Sequence, residues 1–326
     1  MNLDSVSRKL ADLLQAQFPL TRHPYADIGS DMGISEQEVI ALIGQLKAEG
    51  IIRQIGPVLD ARNLGYQTTL VAMRVAENQM DRAAQVIGDH PGISHGYERD
   101  HYFNFWFTLA VPAAGETETE LSALTEMIKA ETCFALPSVR LFKLRALFSM
   151  GKDGQNEDTD SHPTGLGEQK AELSAADRMV INALQQDLPL VPQPFAPMSV
   201  RAGMNEDKFL SLCQSLITRG IMRRFGAAVN HRKAGFTANA MTCWAAPPDK
   251  VEAAGQKLAQ ERQVSHCYER KTNPLWKYNL FAMIHGHTVA ACQEIADRVS
   301  SETGLTDCIM LLSTREFKKT RIKYPV

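Results

Sequence analysis

Six residues written twice set the strongest constraint on how this chain can fold. Ser-His-Gly-Tyr-Glu-Arg at 94–99 returns as Ser-His-Cys-Tyr-Glu-Arg at 265–270, an offset of 171. The recurrence is not isolated. Gly-Ile-Ile-Arg-Gln-Ile-Gly at 50–56 aligns with Gly-Ile-Met-Arg-Arg-Phe-Gly at 220–226, and Arg145 falls opposite Arg315, both at an offset of 170. A long fixed period marks a duplicated structural unit, here of about 150 residues, so whatever one copy folds into the other must fold into as well. Between the copies, 151–170 reads GKDGQNEDTDSHPTGLGEQK. It offers little to bury and reads as a linker.

Each copy divides again. Val6, Leu10, Leu13 and Leu14 recur at helical spacing. Beyond them a helix, a turn at Gly33 and a second helix follow, with Ser35 and Glu38 spaced as a capping box. Gly50 ends that helix and a β wing begins, which predicts winged helix-turn-helix segments at 1–58 and 171–228. The remainders, 59–150 and 229–326, each alternate as strand, helix, strand, strand, helix, strand. In copy one the last of these strands is placed at about 137–148. That order is the ferredoxin-like βαββαβ arrangement, an α+β fold with helices on one sheet face and the other face open to a partner sheet or a ligand.

Composition excludes several alternatives. Of 326 residues, 44% are hydrophobic and 22% charged, with a net charge of −2, so no overall positive field draws the chain to nucleic acid or membrane. The first residues lack a signal-peptide core, and the apolar run FNFWFTLAV at 103–111 is too short for a membrane helix, which predicts a cytoplasmic protein with no membrane partner. Six cysteines are scattered without a C-x-x-C spacing and read as reduced thiols. No nucleophile elbow, P-loop or dinucleotide fingerprint appears, and His-Gly-His at 285–287 is a weak metal signal.

In an extended strand residues two apart share a face, so His95, Tyr97 and Arg99 form one column and His266, Tyr268 and Arg270 another. Serine, glutamate and the variable position take the opposite side. The bland alternative is a polar strand end whose arginine pairs with a neighbouring glutamate. In the following strands Asn104 and Trp106, and Asn279, Phe281 and His285, form matching rows; for Trp106 and Phe281 a core position and the wall of a flat ligand are equally open. Arg53, Arg62, Arg223, Arg224, His231, Arg232 and Lys233 gather around the wings.

A winged helix-turn-helix followed by a ferredoxin-like domain resembles the Lrp/AsnC transcriptional regulators, which implies DNA binding and a small-molecule effector. The recognition helices speak against DNA. Glu36, Glu38 and Glu49 stand against Lys47 in one, and Glu206 and Asp207 open the other, where phosphates would need cations. The stretches RQIGPVLDARNLGY, SHGYERDHYFNFWFTLAV, RRFGAAVNHRKAGFTANAM and SHCYERKTNPLWKYNLFAMIHG narrow the resemblance. They are similar to the siroheme decarboxylases, Lrp/AsnC-like proteins that remove two acetate carboxyls from siroheme.

The resemblance implies a carboxy-lyase giving 12,18-didecarboxysiroheme for haem d1 or an alternative haem route, with no separate cofactor, because the iron arrives with the substrate. Two related subunits usually pair in that family, and some members fuse them, so this chain would be an intrachain pseudo-heterodimer. Further self-association, or association with other tetrapyrrole-pathway proteins, is left open. Histidine suits protonation near neutral pH, and arginine suits clamping of carboxylates. The implied catalytic residues are His95, His101, His231 and His266, with Tyr97 and Tyr268 as secondary donors; one histidine is alternatively an axial ligand to the substrate iron. The implied substrate-binding residues are Arg53, Arg62, Arg99, Arg223, Arg224, Arg232, Arg270, Asn104, Trp106, Asn279, Phe281 and His285.

Overall fold

The computed structural model describes residues 3–144, 172–230 and 238–326. Arg145, the linker at 151–170, and His231, Arg232 and Lys233 lie outside the described residues. Copy one runs α1 (Ser5–Ala16), α2 (Pro24–Met32), α3 (Glu36–Ala48), β1 (Ile52–Leu59), β2 (Tyr66–Arg74), α4 (Met80–Asp89), β3 (Ile93–Arg99), β4 (Phe105–Pro112), α5 (Thr117–Ile128) and β5 (Thr132–Leu144). Copy two repeats this as α6 (Ala175–Leu184), α7 (Phe195–Arg201), α8 (Glu206–Thr218), β6 (Met222–Val229), β7 (Ala238–Trp244), α9 (Val251–Gln260), β8 (Val264–Arg270), β9 (Leu280–Gly286), α10 (Val289–Thr303) and β10 (Cys308–Lys319). Among the described residues no helix is long and apolar enough to cross a membrane.

Local signals act as their chemistry dictates. The Ser35–Glu38 capping box starts α3, with both reciprocal hydrogen bonds formed. Gly33 takes φ 72° to end α2, a backbone state that costs glycine nothing. What the local pattern does not disclose is the partner of each wing. β1 pairs antiparallel with β6, the wing of the other copy, and the two cross at Gly56 and Gly226. A Cβ on Gly226 would stand 2.6 Å from the Leu14 carbonyl, so glycine lets this ribbon lie directly on α1. Beneath it the two helical segments share one core, in which the Phe18 ring lies 6.3 Å from Phe195 and 5.8 Å from Phe225. The winged parts of the two copies are therefore one body.

The ferredoxin-like parts are joined as closely. β5 begins at Thr132, earlier than the sequence pattern places it. It is long because it serves two sheets: Thr132–Pro137 pair with β2 of their own copy, and Ser138–Leu144 pair with β8 of the other. β10 does the reverse, pairing with β7 through Leu312 and with β3 beyond it. The result is a closed barrel in the order β10-β3-β4-β2-β5-β8-β9-β7. A step of four places carries β3 to β8, β4 to β9, β2 to β7 and β5 to β10 with the cyclic order kept. The two-fold relating the copies thus runs along the barrel axis, and equivalent residues lie at the same height. The face left open for a partner sheet or a ligand is the barrel interior.

Candidate functional site at the barrel mouth

The glycine of the first motif fixes which way its strand faces. A Cβ on Gly96 would stand 2.2 Å from Ile87 Cδ1 of α4, so Gly96 faces the outer helix. Cys267, its counterpart, contacts the Gly255 carbonyl of α9 at 3.8 Å. The flanking residues His95, Tyr97 and Arg99, and His266, Tyr268 and Arg270, consequently face inward in two equivalent columns. The arrangement is mirrored in detail: the Arg99 guanidinium lies 5.5 Å from the Tyr97 ring and that of Arg270 lies 4.6 Å from the Tyr268 ring. The motif glutamates face outward, with Glu98 3.7 Å from Arg315 and Glu269 3.6 Å from Arg140.

Each column has an apolar end and a polar end. Toward the β3–β4 and β8–β9 connections the barrel is plugged by Phe103, Trp106, Phe134, Trp276 and Phe281. Trp106 and Phe281 are 1% and 3% exposed, and Trp106 Nε1 donates to the Phe103 carbonyl. Both are packed core, a correction to their assignment as substrate-binding residues. Asn104 and Asn279 are corrected likewise. Each pairs its side-chain amide, as donor and acceptor, with one backbone residue, Val75 or Ala246, and so closes a strand end. His101 belongs to the plug as well. Its Nδ1 accepts from the Phe103 amide and its ring lies 5.5 Å from Trp276, which separates it from His95 by the length of β3.

Just above the plug sit the two motif arginines. Arg99 is 4% exposed; it donates to the Leu311 carbonyl and Ser313 Oγ, while Arg270 donates to the Leu136 carbonyl. Burial pulls the Arg99 guanidinium down to about 10, still charged at neutral pH, and pulls Arg270 in the same direction. The Nε atoms of both are buried without a hydrogen-bond partner. Two desolvated cations with spare donors are an unfavourable arrangement unless anions meet them.

At the open end stand the histidines. A bulge interrupts the ladder between Ile93 and His95, and another between Val264 and His266. Strict alternation would put serine and histidine on opposite faces, and the bulges bring them together instead. Ser94 Oγ lies 2.8 Å from His95 Nδ1, and Ser265 Oγ lies 2.6 Å from His266 Nδ1. In both copies the serine occupies Nδ1 and leaves Nε2 outside that bond. These serines, set aside in the sequence on the alternation rule, are site residues. Their signal was identity in both copies. His285 stands one step behind, its Nε2 2.8 Å from Ser265 Oγ, not at the surface where a ligand would meet it.

The wings and the C-terminal end of β10 complete the mouth. Arg53 donates to the Lys319 carbonyl and to Glu316 Oε1, and Lys319 pairs with His95 across the ladder. Arg62 and Arg223 converge on Asp60, at 3.2 and 2.7 Å. Burial alone would raise that carboxyl, but the two guanidiniums outweigh burial and hold it below the usual carboxylate range. Both arginines also act electrostatically on Tyr268, so one acid serves two cations at the rim. Arg224 is corrected: it is committed to the Gln15 carbonyl at the end of α1. A cavity of about 190 Å³ opens on the first copy's side, lined by Gln54, Val58, Ser94, His95, Thr320 and Arg321.

Burial lowers the imidazole of His95 to about 4, with Lys319 and Arg53 adding to the effect. It lowers that of His266 to about 3, with His95, Lys319 and Arg270 contributing. His95 is nonetheless exposed at the cavity, whereas His266 is half-buried. In the free protein both rings are neutral at pH 7, in a mouth dominated by cations. A bound polyanion would reverse the local field and raise both.

Comparison with known proteins agrees with this architecture. Residues 63–143 and 233–318 match the model of the AsnC-like ligand binding domain, so both halves are AsnC-class domains. Residues 7–53 and 177–223 match that of the siroheme decarboxylase NirDL-like HTH domain. The siroheme decarboxylase of Hydrogenobacter thermophilus is 36% identical over 97% of this chain and 94% of its own. The siroheme decarboxylase beta subunit of Methanosarcina barkeri is 36% identical over 46% of this chain and 99% of its own, so one such subunit corresponds to one copy here. A crystal structure of the siroheme decarboxylase NirDL in complex with an iron-uroporphyrin III analogue superposes with a TM-score of 0.72 at 33% identity, covering 99% of this chain and 95% of that one. The chain belongs to the siroheme decarboxylase family.

Proposed function

We propose that this protein is a carboxy-lyase that removes two acetate carboxyls from siroheme, giving 12,18-didecarboxysiroheme for haem d1 or an alternative haem route. The observation that carries the reading is the barrel mouth. Two serine-held histidines share an interior with a buried Arg99 and a half-buried Arg270, the Nε atoms of both buried without a partner, and with further cations on the rim. A flat octacarboxylate requires cations around its edge and proton donors near its ring. Each loss converts a ring-bound acetate and one proton into a methyl group and CO2. The electrons left by CO2 enter the ring, so a donor close to the ring relieves that charge, and the proton ends on the new methyl. His95 and His266 are the donors in this account, with Tyr97 and Tyr268 beside them. Arg99, Arg270, Arg53, Arg62 and Arg223 hold the edge. The iron belongs to the substrate, and the reaction as written needs no further cofactor.

The two-fold along the barrel suits a ring that presents similar acetates on different edges. The 190 Å³ cavity is smaller than the ~300–1,000 Å³ typical of small-molecule sites, so it takes an edge of the ring, and entry of the whole requires wing and barrel to part. A DNA-binding regulator is the less favoured reading. The acidic first turn of α8 is paired across the copies, Asp207 with Arg22 at 2.6 Å, and acids front α3 as well. Anaerobic incubation of the purified protein with siroheme, followed by mass spectrometry, tests the choice. Loss of two CO2 is expected; unchanged siroheme with tight binding to duplex DNA would overturn it.

A further inference from the structure

The two histidines have the same serine beside them but different residues behind it. Ser265 Oγ lies between His266 Nδ1 at 2.6 Å and His285 Nε2 at 2.8 Å. In the other copy Ser94 meets His95 at 2.8 Å, and the β4 position equivalent to His285 is Ala110, which packs into the apolar core beneath the wings. Ser265 is 1% exposed and His285 7%, so water competes little for these bonds.

A hydroxyl carries one proton. Between two imidazole nitrogens it donates to one and accepts from the other, and because these are His266 Nδ1 and His285 Nε2 the two rings are held in the same tautomer, both Nε2–H or both Nδ1–H. A bound polyanion decides which arrangement prevails. An Nε2 lone pair of His266 facing carboxylates is repelled, whereas an Nε2–H is attracted. We propose that His285 is a positioning residue for His266. It donates its Nε2–H to Ser265 Oγ, directs the Ser265 proton onto His266 Nδ1, and thereby holds His266 with its own proton on Nε2, turned toward the substrate. Ala110 gives His95 no such lock. The copies are therefore unequal, and the second supplies the fixed proton donor.

This rests on the siroheme reading for the identity of the anion, and the experiment separates the two. With siroheme as substrate, His285→Ala lowers kcat about tenfold or more and leaves KM within about twofold. His285→Gln, whose amide N–H can still donate to Ser265, restores most of the rate, and in a Ser265→Ala background His285→Ala adds little. Equal impairment of His285→Ala and His285→Gln, or a loss carried by KM, would overturn the proposal. Independently of activity, 15N NMR of the histidine rings in the ligand-free protein should give the same tautomer for His266 and His285, with His266 averaging between tautomers in His285→Ala. Like tautomers in a wild-type protein inert toward siroheme would refute the substrate and keep the lock; unlike tautomers would refute the lock.

Discussion

At the residue scale the site is a contest between what burial does to a side chain and what a polyanion would undo. His95 and His266 are held neutral, at about 4 and about 3, by desolvation first and by neighbouring cations second. Unfolding releases them to the ordinary 6.5, so below that pH the unfolded chain takes up protons that the folded chain refuses. These two groups therefore lower stability progressively as pH falls from 6.5, His95 down to about 4 and His266 down to about 3, with the effect fading above 6.5. Urea midpoints of the wild type and a His95→Gln/His266→Gln variant should diverge over that window, and parallel pH curves would contradict the account. Siroheme binding should raise both values and draw protons from solution. Calorimetry in buffers of different ionisation heat should then show proton uptake near pH 6 that shrinks in the double variant.

The strand alternation read from the motif locates His, Tyr and Arg on one face, and Gly96 and Cys267 on the other. It misassigns Ser94 and Ser265 because a one-residue bulge leaves no mark in a six-residue pattern. Asn104 and Asn279 mislead for a related reason. Matching polar residues at matching positions signal a shared requirement, and here that requirement is a strand end.

At the scale of elements, the helices, caps and strand order are legible because each depends on nearby residues. The pairing partners are not. Nothing local states that β1 seeks β6, or that β5 leaves its own sheet halfway along. Phe142 shows what the crossing achieves. It comes from copy one and packs on α9 of copy two, where a Cβ on Gly255 would stand 2.4 Å from two of its ring atoms. Gly255→Ala should therefore destabilise the fold by about 1–3 kcal/mol through overpacking, with much of the loss recovered when Phe142→Leu is added. Chemical denaturation of the single and double variants measures this, and additive losses would contradict the contact.

At the scale of the whole molecule, duplication and the α+β class follow from the repeat, but the barrel follows from strands that each serve two sheets. Neither half holds a complete barrel or a complete helical core. Halves produced separately by a cut within 151–170 should associate one to one on co-expression, and each alone should unfold or self-associate. Light scattering after size exclusion measures this, and a stable monomeric half would contradict the shared core.

The central claim is that one histidine-lined mouth, built by both copies, protonates siroheme as its carboxyls leave. Single-turnover decarboxylation, followed by mass spectrometry in the wild type, His95→Gln and His266→Gln, tests it most directly. The account predicts rates lowered about 10²–10⁴-fold where the fixed donor is removed, with siroheme still bound. Wild-type rates of both CO2 losses in the folded double variant would contradict it.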